Sequence, residues 1–315
     1  MMNPVIPFLA RTDETDRQLW LAALKHALPD FRIEPFAQLT AQERDAATVA
    51  IAADPDPDDF HSLPNLQWVQ SLWAGVEQIA AELPRNNLRI VRMEDPQMAE
   101  TMGEAVLAWT LYLHRDMPRY ARQQHACQWI PHELPLPKDR TIGILGMGNL
   151  GGRAAEKLLQ QGFKVCGWSR TERAMDGVRG FSGAEGLNRI LAISDILIIL
   201  LPLTEETSGL LERSRLGLMP NGSSLINFAR GPIVDDAALL ECLDSGQIDH
   251  AVLDVFDEEP LPQSSPFWAH TGVTVLPHIS GPTNRETASA IVAANITTFF
   301  ADGKMPTGID RAKGY

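Results

Sequence analysis

Four side chains of this 315-residue chain combine types and settings suited to chemistry. His278 lies in TVLPHISGPT, where an apolar run ends at a proline and a Ser-Gly-Pro loop follows. Arg230 lies in INFARGPIVDD, and Asp254 and Glu259 lie in AVLDVFDEEPLP. Each has a plain reading on its own. His278 reads equally as a packed or exposed loop histidine, Arg230 as a partner of Asp235 or Asp236, Glu259 as a solvated member of an acidic run, and Asp254 as a turn cap. Taken together they suit hydride transfer to a carbonyl. That reaction needs an acid for the developing alkoxide, a cation for the carbonyl oxygen or a neighbouring carboxylate, and a bound nicotinamide. Histidine titrates near neutrality, and a carboxylate beside it favours the protonated ring. Arginine stays charged and grips planar oxygens with two bonds.

The nicotinamide carrier has its own signal. ILGMGNLGGRAAEKLL places Gly146, Gly148 and Gly151 in G-x-G-x-x-G spacing, with Met147, Asn149 and Leu150 between them. The glycines serve a tight turn, close backbone approach to a pyrophosphate, and close packing of helix on strand. The spacing alone is weak, since plain turns also show it. Here it follows an apolar strand and opens a helix, which sets a phosphate against the helix N-terminus. At the end of the next strand an NAD site wants an acid for the ribose 2′-hydroxyl. CGWSRTER has Ser169 there and Arg170 after it. Without the carboxylate a 2′-phosphate meets no repulsion, and a guanidinium can hold it in a forked geometry. The expectation is NADP(H), with NAD(H) possible; the plain alternative is a surface Ser-Arg pair. Arg173 is a second candidate cation.

These residues need a sheet to hold them. The strand candidates are TIGIL (141–145), KVCGW (164–168), ILIILL (196–201), SSLINF (223–228), AVLDVF (251–256) and VTVL (273–276). Helical stretches such as GRAAEKLLQQG, GAEGLNRILAIS and DDAALLECLDSG lie between them. Strand and helix alternating in this way predict a doubly wound α/β domain with a parallel sheet of six strands, ligands binding at the carboxyl ends. Arg230, Asp254, Glu259 and His278 all follow such strands. The first hundred residues show a second, smaller alternation near Val5, Ile33, Val49, Val69 and Ile90. MAETMGEAVLAWTLYLHRDM then predicts one long helix leading into the central domain. The tail, NRETASAIVAANITTFFADG, predicts another helix, which either covers the central sheet or crosses back to complete the first domain.

Composition narrows the function classes. With 27 Lys and Arg against 40 Asp and Glu the net charge is −13, and no basic cluster interrupts it. Nucleic acid and anionic membranes are therefore poor partners. Three cysteines, Cys127, Cys166 and Cys242, lack CxxC spacing, which predicts a reducing compartment, hence the cytoplasm, and no metal site. The first residues lack a secretion signal, and the run at 196–203 is too short to span a bilayer.

The ordered set GMGNLG, FARGPIVD, LDVFDEEPL and PHISG resembles the D-isomer-specific 2-hydroxyacid dehydrogenase family. SRT after the second strand, the SLWAGVE segment and the terminal DRAKGY resemble its NADPH-dependent glyoxylate/hydroxypyruvate reductase A branch. The resemblance runs over essentially the whole chain. It implies a Rossmann cofactor domain at 101–282 and a smaller, discontinuous, flavodoxin-like substrate domain from 1–100 and 283–315. It implies a catalytic set of Arg230, Glu259 and His278, in an enzyme that reduces glyoxylate to glycolate and hydroxypyruvate to D-glycerate. On the cofactor side it adds Leu201, Pro202, Thr207, Phe228, Ala229, Asp254 and Ser280 to the glycine loop, Ser169, Arg170, Arg230 and His278. It gives the turn Ala74-Gly75-Val76 to the substrate carboxylate. Physically, Gly75 lets backbone approach an anion, and a helix opening near Val76 would add its positive end; the plain reading is a strand-to-helix turn. Trp73 either shapes the pocket for a small 2-oxo acid or packs the domain. The resemblance also implies a homodimer formed through the cofactor domain. Ser280-Gly281-Pro282-Thr283 departs from the small-residue loop of many relatives and leaves the preferred side chain of the substrate open. A reductase of bulkier 2-oxo acids is the nearest alternative, and a dinucleotide-sensing, corepressor-like protein the alternative from another class.

Overall fold

The structure, a computed structural model, describes residues 4–83, 88–171 and 173–310. Of the DRAKGY segment, residues 311–315 lie outside these. The chain divides into two compact units, Met1–Gln97 with Thr283–Tyr315, and Met98–Pro282.

In the first unit the elements are β1 (Val5–Ala10), α1 (Glu14–Ala27), β2 (Arg32–Pro35), α2 (Ala41–Ala46), β3 (Val49–Ala53), β4 (Trp68–Ser71), α3 (Glu77–Glu82) and β5 (Arg89–Val91). The strands pair in parallel in the order β2-β1-β3-β4-β5, the flavodoxin-like order. VAIAA of β3 is buried at every position, as expected of a central parallel strand covered on both faces. Asp13 caps α1 by accepting from Asp16 N, and the helix buries Trp20, Leu21 and Leu24.

The second unit begins in α4 (Pro96–His114), followed by α5 (Met117–His125). The sequence predicted a single helix through Met117. The helix instead ends at His114: Asp116 turns left-handed at φ 53°, and Pro118 stands in the first turn of α5, where its missing N–H costs nothing. Then come β6 (Thr141–Leu145), α6 (Asn149–Gln160), β7 (Lys164–Ser169), β8 (Val178–Ser182), α7 (Gly183–Ile193), β9 (Ile196–Ile199), α8 (Arg213–Leu216), β10 (Ser223–Asn227), α9 (Asp236–Asp244), β11 (Ile248–Leu253) and β12 (Val273–Val275). They form one parallel sheet in the order β12-β11-β10-β9-β6-β7-β8. It has seven strands, not six. β8 has no buried residue and carries Arg179 and Gly180, so it lacks the apolar run that marks a central strand. The strand order reverses between β6 and β9, where ligands of open α/β sheets bind beyond the carboxyl ends.

α10 (Arg285–Asp302) belongs to the first unit. Asn284 caps it by accepting from the N–H groups of Glu286 and Thr287. Its Ala288, Val292 and Ile296 share a core with Ile6, Phe8 and Trp20, and Asn295 Nδ2 donates to Gln70 Oε1 at 2.8 Å. No helix among the described residues is long and apolar enough to cross a membrane.

Candidate active site

At the switch point the three glycines differ in what surrounds them. Gly146 takes φ 104°, and a Cβ there would lie 2.5 Å from the Leu200 carbonyl oxygen. A Cβ on Gly151 would lie 1.8 Å from the Gly146 oxygen, so only glycine lets α6 start this close to β6. A Cβ on Gly148 would meet no protein atom within 4 Å. Gly148 is also the N-cap of α6, with no side chain capping the helix. The first N–H groups of that helix are thus offered outward, the arrangement that binds phosphates. Met147 lies over Gly167 of β7, and Asn149 and Leu150 open the helix.

At the end of β7, the Ser169 hydroxyl donates to the Thr171 carbonyl at 2.7 Å, and Arg170 Nη1 donates to Glu206 Oε2 at 3.1 Å. Arg173 Nη1 donates to the Met147 carbonyl at 3.0 Å, reaching the glycine loop itself. Leu201 and Pro202 follow β9. There the buried Thr207 hydroxyl donates to the Pro202 carbonyl at 2.7 Å and accepts from Thr204 N at 2.8 Å.

Phe228 and Ala229 are buried after β10 and lead to Arg230, whose Nη1 donates to the Ala229 carbonyl at 2.7 Å. Asp235 is occupied as the N-cap of α9, accepting from Ala238 N. Two residues that the sequence reading passed over hold the Arg230 turn. The buried Asn227 accepts from Ala229 N and donates to the Arg230 carbonyl, both at 3.1 Å. A Cβ on Gly231 would lie 2.1 Å from Phe256 C and 2.4 Å from Asp257 N. Gly231 therefore lets the Arg230 turn touch the backbone that leads to Glu259. A polar residue closing an apolar strand and a glycine directly after the arginine were the available signals. Gly231→Ala forces backbone apart and is expected to destabilise the protein by about 1–3 kcal/mol, seen as a lower denaturant midpoint. An unchanged midpoint would contradict the contact.

Asp254 follows β11 and is 2% exposed. Its Oδ1 accepts from Ile279 N at 2.8 Å and its Oδ2 from Ser280 N at 2.9 Å. Charge-assisted bonds of this kind contribute roughly 1.5–3 kcal/mol each, and here they clamp the loop directly after His278. The clamp has work to do, because His278 sits at φ 53°, a left-handed conformation that costs a branched-free but bulky residue energy. The ring is half exposed, and its Nδ1 meets Glu259 Oε2 at 2.7 Å. Glu259 Oε1 accepts from Phe256 N at 2.9 Å, which fixes the carboxylate from its own loop. The bond to Glu259 raises the His278 pKa above its usual value, against burial and the Arg230 charge, which both lower it. Burial pushes the Glu259 carboxyl up, but the bonds from His278 and Phe256 and the charges of His278 and Arg230 outweigh it, and the net shift is downward. The geometry thus brings Arg230, Asp254, Glu259 and His278 into one electrostatic group, in which the Glu259 carboxylate favours the protonated form of the His278 ring. The Ser280 hydroxyl, buried beside them, has no partner among the described residues.

In the first unit, Trp73 packs edge-on against Trp20 with ring centroids 5.8 Å apart. The Trp73 backbone N–H donates to Ser71 Oγ at 3.0 Å, which turns the chain out of β4. The N–H groups of Ala74, Gly75 and Val76 donate to no acceptor among the described residues. α3 follows at Glu77 and spans only six residues, too short to add much of a dipole.

The sequence profile described as the D-isomer specific 2-hydroxyacid dehydrogenase, NAD binding domain, matches residues 107–280. A D-isomer specific 2-hydroxyacid dehydrogenase from Xanthobacter autotrophicus Py2, solved with NADPH and MES, is 36% identical over 99% of this chain and 100% of its own, with a TM-score of 0.91. An NADPH-dependent glyoxylate/hydroxypyruvate reductase from Sinorhizobium meliloti, solved with NADP and sulfate, is 32% identical over 99% of each chain, with a TM-score of 0.90. A probable 2-hydroxyacid dehydrogenase from Rhizobium etli CFN 42, solved with NADP, HEPES and L(+)-tartaric acid, is 31% identical over 99% of each, with a TM-score of 0.89.

Proposed function

Since the chain belongs to the D-isomer specific 2-hydroxyacid dehydrogenase family of oxidoreductases, we propose that it is an NADPH-dependent reductase of small 2-oxo acids, converting glyoxylate to glycolate and hydroxypyruvate to D-glycerate. The observation that carries this reading is the 2.7 Å bond between His278 Nδ1 and Glu259 Oε2, with Arg230 acting on both charges at the carboxyl ends of the sheet.

The residues fit a dinucleotide. Gly148 leaves room for a close ligand, the start of α6 is uncapped, and the buried Ser280 hydroxyl awaits a partner. NADPH, when bound, supplies the hydride. The chain supplies the rest. Glu259 holds Nδ1 of His278, so the proton delivered to the nascent alkoxide leaves from Nε2. Arg230 grips the substrate carboxylate and polarises the carbonyl oxygen. Asp254 keeps the His278 turn in place through the N–H groups of Ile279 and Ser280. Ala74, Gly75 and Val76 offer backbone donors to the substrate carboxylate, and the Arg170 region receives the 2′-phosphate. The Sinorhizobium meliloti enzyme was solved with NADP, which supports the phosphorylated dinucleotide in this reading. A homodimer formed through the second unit accompanies this reading. Its support is the exposed apolar surface at Met117, Trp129 (97% exposed), Ile130 and Leu136; a monomer in sedimentation would end that part.

The test is NADPH and NADH consumption, followed by absorbance, with glyoxylate, hydroxypyruvate, pyruvate and phenylpyruvate. Turnover of the first two with NADPH is expected to dominate. Preference for phenylpyruvate would move the assignment to bulkier acids. Tight dinucleotide binding without turnover of any of the four would replace it with a sensing role.

A further inference from the structure

The cation at the end of β7 does not stand alone. Arg170 Nη1 is 3.1 Å from Glu206 Oε2, so one carboxylate already lies against the guanidinium. Glu206 comes from the turn after β9, far from β7 in sequence but brought beside it by the strand order β9-β6-β7. Its backbone is well fixed. The next residue, Thr207, is buried, and its hydroxyl ties Pro202 and Thr204 together. Glu206 is thus an acid supplied from the end of β9, two sheet positions away from the strand end where an NAD site carries its own.

We propose that Glu206 sets the balance between the phosphorylated and unphosphorylated dinucleotide. A 2′-phosphate must share Arg170 with a carboxylate of like charge, whereas a 2′-hydroxyl meets no such repulsion. The inference rests on the reading of Arg170 as the cation for the 2′-phosphate. The effect is bounded by exposure: the two side chains are 42% and 67% exposed, so water and salt screen the contact. Glu206 tempers the NADPH preference and does not reverse it. Arg173, anchored on the Met147 carbonyl, remains as a second cation on the glycine-loop side.

The test isolates the 2′-phosphate by calorimetry with adenosine 2′,5′-bisphosphate and adenosine 5′-monophosphate, alongside NADPH and NADH binding followed by nicotinamide fluorescence. Glu206→Gln is expected to tighten the 2′-phosphorylated ligands about two- to fivefold, more at low than at high ionic strength, and to leave the other two unchanged. Equal tightening of all four ligands, or unchanged or weaker binding of the bisphosphate, overturns the proposal. Arg170→Ala separates the two layers of the argument. If it weakens the bisphosphate selectively while Glu206→Gln has no effect, only the role of Glu206 falls. If Arg170→Ala binds the bisphosphate as tightly as the parent, the reading of the β7 end as the 2′-phosphate site falls with it.

Discussion

Replacing His278 by Asn is expected to lower kcat for 2-oxo acid reduction by about 10²–10⁴-fold, the usual worth of a positioned general acid, while the Kd for NADPH changes little. Asparagine is a fitting replacement for two reasons. It is among the residues that tolerate a left-handed conformation, so the turn at φ 53° survives. It also leaves the Asp254 clamp on Ile279 and Ser280 intact, because that clamp uses backbone N–H groups. What it removes is the titrating ring and the proton at Nε2. Stopped-flow hydride transfer with a deuterated nicotinamide, combined with fluorescence titration of NADPH, separates the two quantities. Unchanged turnover would take the proton donor away from His278. A matching loss of NADPH affinity would mean that the substitution had disturbed the loop and not the acid.

The site residues differ in how far they could be read from the chain. His278 and Arg230 stand out because each is a strong chemical type shortly after an apolar run, and β12 and β10 do end just before them, whereas Glu259 lies in an acidic run farther beyond the end of β11. The residues that hold them are harder to see. Asn227 and Gly231 act through backbone contacts, and the partner of Gly231 at Phe256 lies in another loop that only the sheet brings near. The Asp254 clamp spans 25 and 26 residues, and the contact of Arg170 with Glu206 spans 36. No local periodicity encodes such pairs. The fold shows the same division. Central strands announce themselves through continuous burial, as in ILII of β9 and SSLIN of β10. β8 is an edge strand held by pairing with β7, and its composition says little. The break between α4 and α5 turns on a left-handed Asp116, a conformation chosen by the turn and not by helix propensity.

Glu259→Gln is expected to move the descending limb of the pH-rate profile toward lower pH and to cut turnover severely at neutral pH. In the proposed mechanism the protonated His278 is the active form in reduction, so rate is expected to be full below its pKa and to fall about tenfold per pH unit above it. In the intact site the bond to Glu259 holds that pKa above the ordinary 6.5. With the carboxylate gone, burial and the Arg230 charge push the ring below its ordinary value, opposed only by the smaller effect of the Asp254 charge. The imidazolium is then scarce at pH 7. Stability should follow the same pair. The raised His278 pKa contributes stability that is full below 6.5 and lost as pH rises through the raised value. The lowered Glu259 pKa contributes stability that is full above 4.5 and lost as pH falls through the lowered value. The difference in unfolding midpoint between the parent and Glu259→Gln is therefore expected to be greatest between 4.5 and 6.5 and to shrink on both sides. Rate profiles for both proteins with glyoxylate, and thermal melts across the same pH range, read the two effects independently. A limb that stays where it is after the substitution would show that Glu259 does not hold the proton on His278. A limb that moves without the bell-shaped stability difference would keep the catalytic role and remove the structural one.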